Sequence, residues 1–360
     1  MTIAPRSTRF ERPHLTAPVN DDLIIDESTL ILGIETSCDE TAAALVMGGY
    51  DVVSSVVSTQ VDLHAEFGGV VPEIASRAHL DVLNPVIARA IVESGVEDSR
   101  IDAVACTVGP GLIGALLVGV SAAKSLALAW DVPFIGVNHM EAHLYAASLE
   151  DPTLEFPLVV LLVSGGHTML VEMQDHGRYR LLGQTIDDAA GEAFDKVARF
   201  LDLGYPGGPA IEEAALLGDS EAIKFPRALM DDSYNFSFSG LKTSVMNYVR
   251  KHPDVSSSDV AASFQAAVVD VLAAKSRAAA KATGATSIVL GGGVAANSLL
   301  REEILDGCAR DGIQGFLPSR AMCTDNAAMI AAAGWHRLRS DGPTPLSVGA
   351  TPNLKLPFID

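Results

Sequence analysis

The stretch LGIETSCDETAAALV at residues 32–46 and the stretch VVLLVSGGHTMLVE at residues 159–172 share one layout. Each runs apolar segment, serine, short polar turn, threonine, apolar segment, with Ser37 and Thr41 matched by Ser164 and Thr168. Apolar runs of this length bounded by turn residues read as strands, so each stretch is a hairpin. A second turn follows in each copy, at 48–51 and at 175–178, and then a third strand, at 52–57 and at 179–184. Each copy opens as a three-stranded meander, and such self-similarity is the signature of a duplicated unit.

The correspondence continues outward. A strand over 101–107 feeds Gly109, Pro110 and Gly111 and a small-residue helix, while a strand over 286–290 feeds Gly291, Gly292 and Gly293 and a helix from Asn297. A short strand at 134–137 leads into a helix opening at His139, and one at 315–317 leads through Pro318 to a helix opening near Thr324, Asp325 and Asn326. The chain therefore reads as α/β, a βββαβαβα unit written twice, which implies two lobes around a central cleft where ligands bind. The expected division is a flexible N-terminal extension over 1–29, with three prolines and no periodicity, a first lobe over 30–157 and a second over 158–360.

Composition narrows the classes. With 360 residues, 48% of them hydrophobic, the chain can bury the cores of two ordinary domains. The apolar runs at 112–120 and 158–163 are too short or too Gly-rich for a bilayer and no basic start precedes an apolar segment, so the expectation is a cytoplasmic protein without membrane attachment. Cys38, Cys106, Cys308 and Cys323 form no C-x-x-C pair, which suits a reducing compartment. A net charge of −20 repels nucleic acid on average. The stretch 224–251 runs against that trend, with Lys224, Arg227, Lys242, Arg250 and Lys251 against Asp231 and Asp232; it is either a solvated face or a phosphate-backbone contact.

His139 and His143 stand four residues apart, one helical turn, so both rings can reach one cation. Two helix-surface histidines would have the same spacing. Glu141 invites a zinc-protease reading, but at two residues from His139 it lies about 200° around the helix and points away from any shared metal. Pseudo-symmetry offers a third ligand, because Asp325 occupies in the second copy the place of the His pair in the first. Together they would form a two-histidine, one-carboxylate face with open positions.

The Ser164-Gly165-Gly166-His167-Thr168 turn is expected to use positive φ and to bring backbone N–H groups to an anion, or else to be a plain hairpin. Three glycines at 291–293 leave room for a flat ligand such as a nucleoside base, with Asn297 on a ring or ribose edge. Asp195, and Glu212 at an expected helix start, flank the rigid turn at 205–209 and are spaced for ribose hydroxyls. Glu35, Asp39 and Glu40 crowd the first turn, as a Mg²⁺-bearing site or a solvated acidic turn. No P-loop, Rossmann fingerprint or nucleophile–base pair is present.

These segments, GIETSCDET at 33–41, NHMEAH at 138–143, VSGGHT at 163–168, FDK at 194–196, FSFSGLKT at 236–243, GGGVAAN at 291–297 and CTDN at 323–326, stand in the order found in one family. The chain resembles the bacterial tRNA N6-adenosine threonylcarbamoyltransferases, once misnamed O-sialoglycoprotein endopeptidases. The resemblance implies the actin, hexokinase and Hsp70-like ATPase fold and transfer of threonylcarbamoyl from threonylcarbamoyl-AMP to N6 of adenine 37 in tRNA. It implies Fe²⁺ or Zn²⁺ on His139, His143 and Asp325, and the adenylate on Leu162, Val163, Ser164, Gly165, Gly166, Asp195, Gly208, Glu212 and Asn297. Mg²⁺ with the nucleotide is a further candidate cofactor. Asp39, Glu40 or a phosphate oxygen would take the proton of the attacking amine. The implied partners are a paralogous inert actin-like subunit and a small P-loop ATPase. The competing reading is an ATP-dependent kinase or ATPase module of the same fold, which needs the Gly-rich turns but not the His pair; a non-enzymatic scaffold accounts for neither.

Overall fold

The computed structural model describes residues 24–231 and 233–358. The first unit contains β1 (Leu30–Glu35), β2 (Glu40–Met47), β3 (Asp51–Thr59), α1 (Val61–Ala65), α2 (Pro72–Ser94), β4 (Ala103–Gly109), α3 (Ile113–Trp130), β5 (Phe134–Asn138) and α4 (His139–Tyr145). The second contains β6 (Leu158–Val163), β7 (Thr168–Asp175), β8 (Arg178–Gln184), four helices α5 (Ala190–Phe200), α6 (Gly207–Ala215), α7 (Ser239–Lys251) and α8 (Ser257–Thr283), then β9 (Ser287–Gly291), α9 (Ser298–Asp311), β10 (Gln314–Phe316), α10 (Arg320–Cys323) and α11 (Ala327–Asp341).

The sheets have the same topology: β3-β2-β1-β4-β5 and, read in the same sense, β8-β7-β6-β9-β10. In each, the first three strands pair antiparallel and the last two join in parallel. Burial follows from position. Central β1 and β6 are buried along their whole length and apolar except for Glu35 at the end of β1, whereas edge strands β3 and β8 carry exposed polar residues between buried ones. The duplicated reading is borne out, with α5 to α8 inserted where the first copy has α1 and α2.

The helices do not divide as the strands do. All seven residues of α4 are buried, and α4 touches both β5 of the first sheet and β6 of the second. Helix α11, from the second unit, lies on β1, β2, β4 and β5 of the first sheet. The Ala-rich start of α11 makes that close approach possible, as does Gly33, where a Cβ would stand 2.2 Å from the Ala327 carbonyl oxygen. One core therefore fills the space between the sheets, a second lies under α2 and α3, and a third under α5 to α9. The tail also returns to the first sheet: Thr344 N–H donates to Phe134 O at 2.8 Å and Thr351 N–H to Val108 O at 2.7 Å.

Two sequence expectations are qualified. Of the extension over 1–29, residues 1–23 lie outside the described residues; at 24–29, Trp335 Nε1–H donates to Asp26 O at 3.1 Å and Gly48 N–H to Thr29 O at 2.9 Å. Contrary to the reading of 112–120 as too short, α3 is by length and composition long and apolar enough to cross a membrane. In the fold, its Ala115, Leu116, Gly119, Val120, Ala123 and Ala127 face is buried, and the helix lies against β4 and α2.

Candidate metal centre and its cleft

Asn138 ends β5 and starts α4, its Oδ1 accepting the N–H groups of Met140 at 2.9 Å and Glu141 at 3.2 Å. That cap fixes the first turn, and the i,i+4 spacing then sets the His139 and His143 rings edge to face with centroids 4.8 Å apart. Asn326 caps α11 in the same way, accepting Met329 N–H at 3.0 Å, and presents the residue before it, Asp325. Asp325 Oδ1 lies 3.2 Å from His143 Nε2 and 3.4 Å from His139 Nε2.

The ligand atoms of the three residues lie within 4.8 Å of one another. Two ligands each about 2.1 Å from a common divalent ion are about 3.0–3.4 Å apart at octahedral to tetrahedral angles, so the two imidazole–carboxylate separations fit. The charges fit too. Glu35 and Asp325 bring two carboxylates to one buried imidazole; burial opposes charge on His139, but Asp325 and Glu35 outweigh it and draw its pKa well above the ordinary range. The same ring holds Asp325 far below the carboxylate range despite burial. A divalent cation would supply the positive charge that a proton otherwise provides.

Glu35 is the residue whose role sequence reasoning missed. It does not join Asp39 and Glu40 in one acidic turn, as expected. It is fully buried, and its Oε2 lies 3.0 Å from His139 Nδ1 and accepts from Thr107 Oγ1 at 2.5 Å, while its Oε1 accepts the Ser37 N–H. Burial favours its neutral form, but His139 and these hydrogen bonds prevail and its pKa is lowered. A carboxylate on Nδ1 keeps a proton there, so that a cation can take the place of the proton on Nε2, the arrangement a metal ligand requires.

Asp39 lies in the turn between β1 and β2, and Glu40 opens β2. Burial, then the charges of Asp325 and Asp39, push the Glu40 carboxyl up to about 9, which favours its protonated form at neutral pH. Across the cleft, burial raises Asp195 and Tyr205, and Asp39 contributes to both. The acidic turn and the α5–α6 connection therefore face one another.

The second-lobe residues converge through backbone contacts. Leu162 and Val163 are fully buried strand residues whose side chains belong to the core. Gly165 and Gly166 are exposed, and the expected positive φ is not found at either; a Cβ there would meet nothing within 4 Å, so the glycines supply open space. Gly292, at φ +87°, does need to be glycine, since a Cβ would stand 2.5 Å from Val163 O. Gly208, the second residue of α6, has nothing within 4 Å of a Cβ. Asp195 Oδ1 accepts Gly207 N–H at 2.8 Å, and Glu212 Oε1 accepts Ser298 N–H at 3.0 Å. Glu212 lies within α6 rather than at its start. Asn297 is largely committed: Oδ1 caps α9 through Leu300 N–H at 3.0 Å, and Nδ2 donates to Gln265 at 2.9 Å. His167, also unassigned by sequence, is half-buried; burial and the nearby His139 and His143 depress its pKa.

Two readings weaken. Glu141 turns away from the triad, as its helical position requires, to accept Arg337 Nε–H at 2.6 Å and Tyr179 Oη–H at 3.1 Å. The basic stretch loses Arg227 to Asp270 at 2.7 Å and Lys242 to Asp188 at 2.6 Å, which leaves less charge for phosphates.

Fold and site together define a two-lobed α/β protein with a candidate metal centre where the lobes meet. Among solved structures, HypF from T. kodakarensis superposes with a TM-score of 0.62 at 15% identity, over 88% of this chain and 48% of that one, a likeness of fold. The family model of TsaD, the tRNA N6-adenosine threonylcarbamoyltransferases, matches residues 51–332. The chain is 56% identical over 330 residues to the tRNA N6-adenosine threonylcarbamoyltransferase of Symbiobacterium thermophilum, covering 91% of this chain and 97% of that one. It is 50% identical over 335 residues to that of Clostridium perfringens, covering 92% and 99%. The chain belongs to this family.

Proposed function

We propose that this enzyme transfers the threonylcarbamoyl group of L-threonylcarbamoyl-AMP to N6 of adenosine 37 in tRNAs that read codons starting with A, releasing AMP. The observation that carries the reading is the union of His139, His143 and Asp325, drawn from the two units, with the Gly-lined turns of one cleft in a chain of this family.

The donor is a mixed carbamoyl–phosphoric anhydride. The adenine amine attacks the carbamoyl carbon, the bond from that carbon to the phosphate oxygen breaks with its electron pair on AMP, and one amine proton must be accepted. Fe²⁺ or Zn²⁺ on the triad would act as a Lewis acid toward donor oxygens when bound. The rest falls to the chain. Leu162 and Val163 sit in the β6 ladder and the Ser164 N–H donates to His167 O at 2.8 Å, so these three hold the turn in place, and the backbone N–H groups offered to the phosphate and base are those of Gly165, Gly166 and Gly292. Gly208 leaves room beside them. Asp195 and Glu212 each spend one carboxylate oxygen on a backbone amide and keep the other for ribose, while Asn297 keeps one amide hydrogen for the nucleoside. Asp39 takes the proton, oriented by the protonated Glu40; Mg²⁺ accompanying a nucleotide would sit against the same turn.

Adenosine 37 must leave its stack to reach the cleft. A net charge of −20 opposes tRNA binding by the isolated chain, so a paralogous inert actin-like subunit and a small P-loop ATPase complete the enzyme in the cytoplasm. The kinase or ATPase reading uses the same turns but gives the triad no task.

The test is transfer of radiolabelled threonine from preformed threonylcarbamoyl-AMP to unmodified tRNA with partners present, comparing wild type with His139→Ala and Asp325→Ala. Label at adenosine 37 with wild type alone, and metal lost from both variants, is expected. Steady ATP turnover with a small acceptor, indifferent to Asp325→Ala, would restore the kinase reading.

A further inference from the structure

Outside the metal centre, the described residues hold a second buried imidazole cluster, made of His64, His79, Gln60 and Thr41. Its hydrogen bonds have one consistent direction. Val71 N–H donates to His64 Nδ1 at 3.3 Å, so Nδ1 is the acceptor and Nε2 carries the proton, which it donates to Gln60 Oε1 at 3.2 Å. Gln60 thereby turns its amide hydrogens toward His79 Nδ1, at 3.3 Å, where the Thr41 hydroxyl also donates at 2.8 Å. His79 is left with its proton on Nε2, 3.0 Å from the Cys38 carbonyl it donates to. Both rings are neutral in this scheme, and burial depresses the pKa of His79 in keeping with it.

The ends of this chain of bonds lie at two functional places. At the start, His64 organises the loop at 66–71, its carbonyl accepting Phe67 N–H at 3.0 Å and Gly69 N–H at 3.3 Å. Gly68 and Gly69 lie in the left-handed region, at φ +64° and +153°, and the Gly68 carbonyl accepts from the guanidinium of Arg199. Arg199 is on α5 of the second unit, one turn beyond Asp195, so the loop spans the cleft. At the far end stands the turn bearing Asp39 and Glu40, and Gln60 N–H adds a bond to the Asp39 carbonyl at 3.0 Å.

We propose that Gln60, His64 and His79 are positioning residues: a one-way hydrogen-bond relay that sets the Asp39–Glu40 turn according to whether the 66–71 loop is docked on Arg199. The inference rests on the reading that this turn serves the transfer reaction. Closure of the lobes about the donor then fixes the proton acceptor, and an open cleft leaves it unset.

Gln60→Glu tests the relay at constant size. A carboxylate offers His79 Nδ1 only an acceptor, whereas the Thr41 hydroxyl can rotate to accept as well as donate, so the ring draws its proton to Nδ1 and withdraws it from the Cys38 carbonyl. In the full complex, Gln60→Glu is expected to lower kcat about 10-fold or more while KM for threonylcarbamoyl-AMP stays within about twofold. With Arg199→Gln already present, the same change should cost less than about threefold further, since both act on one element. Imidazole ¹⁵N shifts should report His64 and His79 as Nε2–H tautomers in wild type, with only His79 altered in Gln60→Glu. Other tautomers, a rise in KM at constant kcat, or additive losses would overturn the relay, and the wild-type spectra decide even if Gln60→Glu does not fold. No transfer by wild type, with the tautomers as stated, would instead defeat the functional reading and the role built on it.

Discussion

Glu35→Gln is the substitution with the sharpest consequence at the metal centre. Glu35 Oε2 accepts from Thr107 and lies 3.0 Å from His139 Nδ1, while Oε1 accepts the Ser37 N–H. An amide of the same shape has one acceptor oxygen and one donor nitrogen, so one end must meet a donor it cannot accept. The Ser37 N–H is backbone and cannot invert, whereas an imidazole can change tautomer and a threonine hydroxyl can rotate. The amide oxygen therefore stays on Ser37, the NH₂ faces Nδ1, and His139 gives up its Nδ1 proton and keeps the one on Nε2. The Nε2 lone pair that a shared cation needs is then no longer available.

Loss of such an orienting carboxylate typically weakens metal binding 10–100-fold, about 1.4–2.7 kcal/mol. The assay is a titration of metal-loaded protein against a chelator of known affinity, with circular dichroism confirming the fold. Affinity within about threefold of wild type, when Asp325→Asn has lost it, would refute the tautomer argument.

Two further outcomes follow from buried charge. In metal-free protein, Glu40 titrates near 9 against an ordinary 4.5, so across that window the folded state carries a proton the unfolded state has lost. Stability then falls as pH rises from about 4.5 to 9, and Glu40→Gln should flatten the pH dependence of Tm, with bound metal lowering the effect by offsetting Asp325. Arg337→Met strands the Glu141 carboxylate, 2% exposed, and should cost about 3 kcal/mol in denaturant unfolding at unchanged metal content. Adding Glu141→Gln should recover much of that loss; no recovery would mean that packing of the Arg337 stem, rather than the ion pair, is what matters.

What was legible in the sequence was whatever depends on local pattern. Strand, turn and glycine recur at matching intervals in the two units, and that alone gave the duplicated βββαβαβα unit and its opening meanders. The triad was legible because helical spacing joins His139 to His143 and the repeat maps Asp325 onto their place. Glu35 was not, since its acidity is visible but its partners, Thr107 and His139, come from β4 and α4. Asn297 carries a second task that local rules do show: an asparagine before a helix is a cap, and its Oδ1 accepts Leu300 N–H. The crossing of α11 to the first sheet depends on Gly33 and Ala327 meeting across the length of the chain, which no window of sequence contains.

The divergence of the two copies also explains why the centre can be catalytic rather than sealed. Asn138 and Asn326 perform the same capping job at equivalent helices, so the backbones around the site stay alike. If both copies carried the His pair, four imidazoles would converge and fill a tetrahedral sphere, as in a closed structural site. If both carried the aspartate, two hard, charged ligands would remain, a set suited to Mg²⁺ rather than to a Lewis acid of the zinc or iron class. Two neutral nitrogens from one unit and one carboxylate from the other leave coordination positions open. A donor that filled such positions would meet His139 and His143 from one unit and Asp325 from the other, and so would bridge the two.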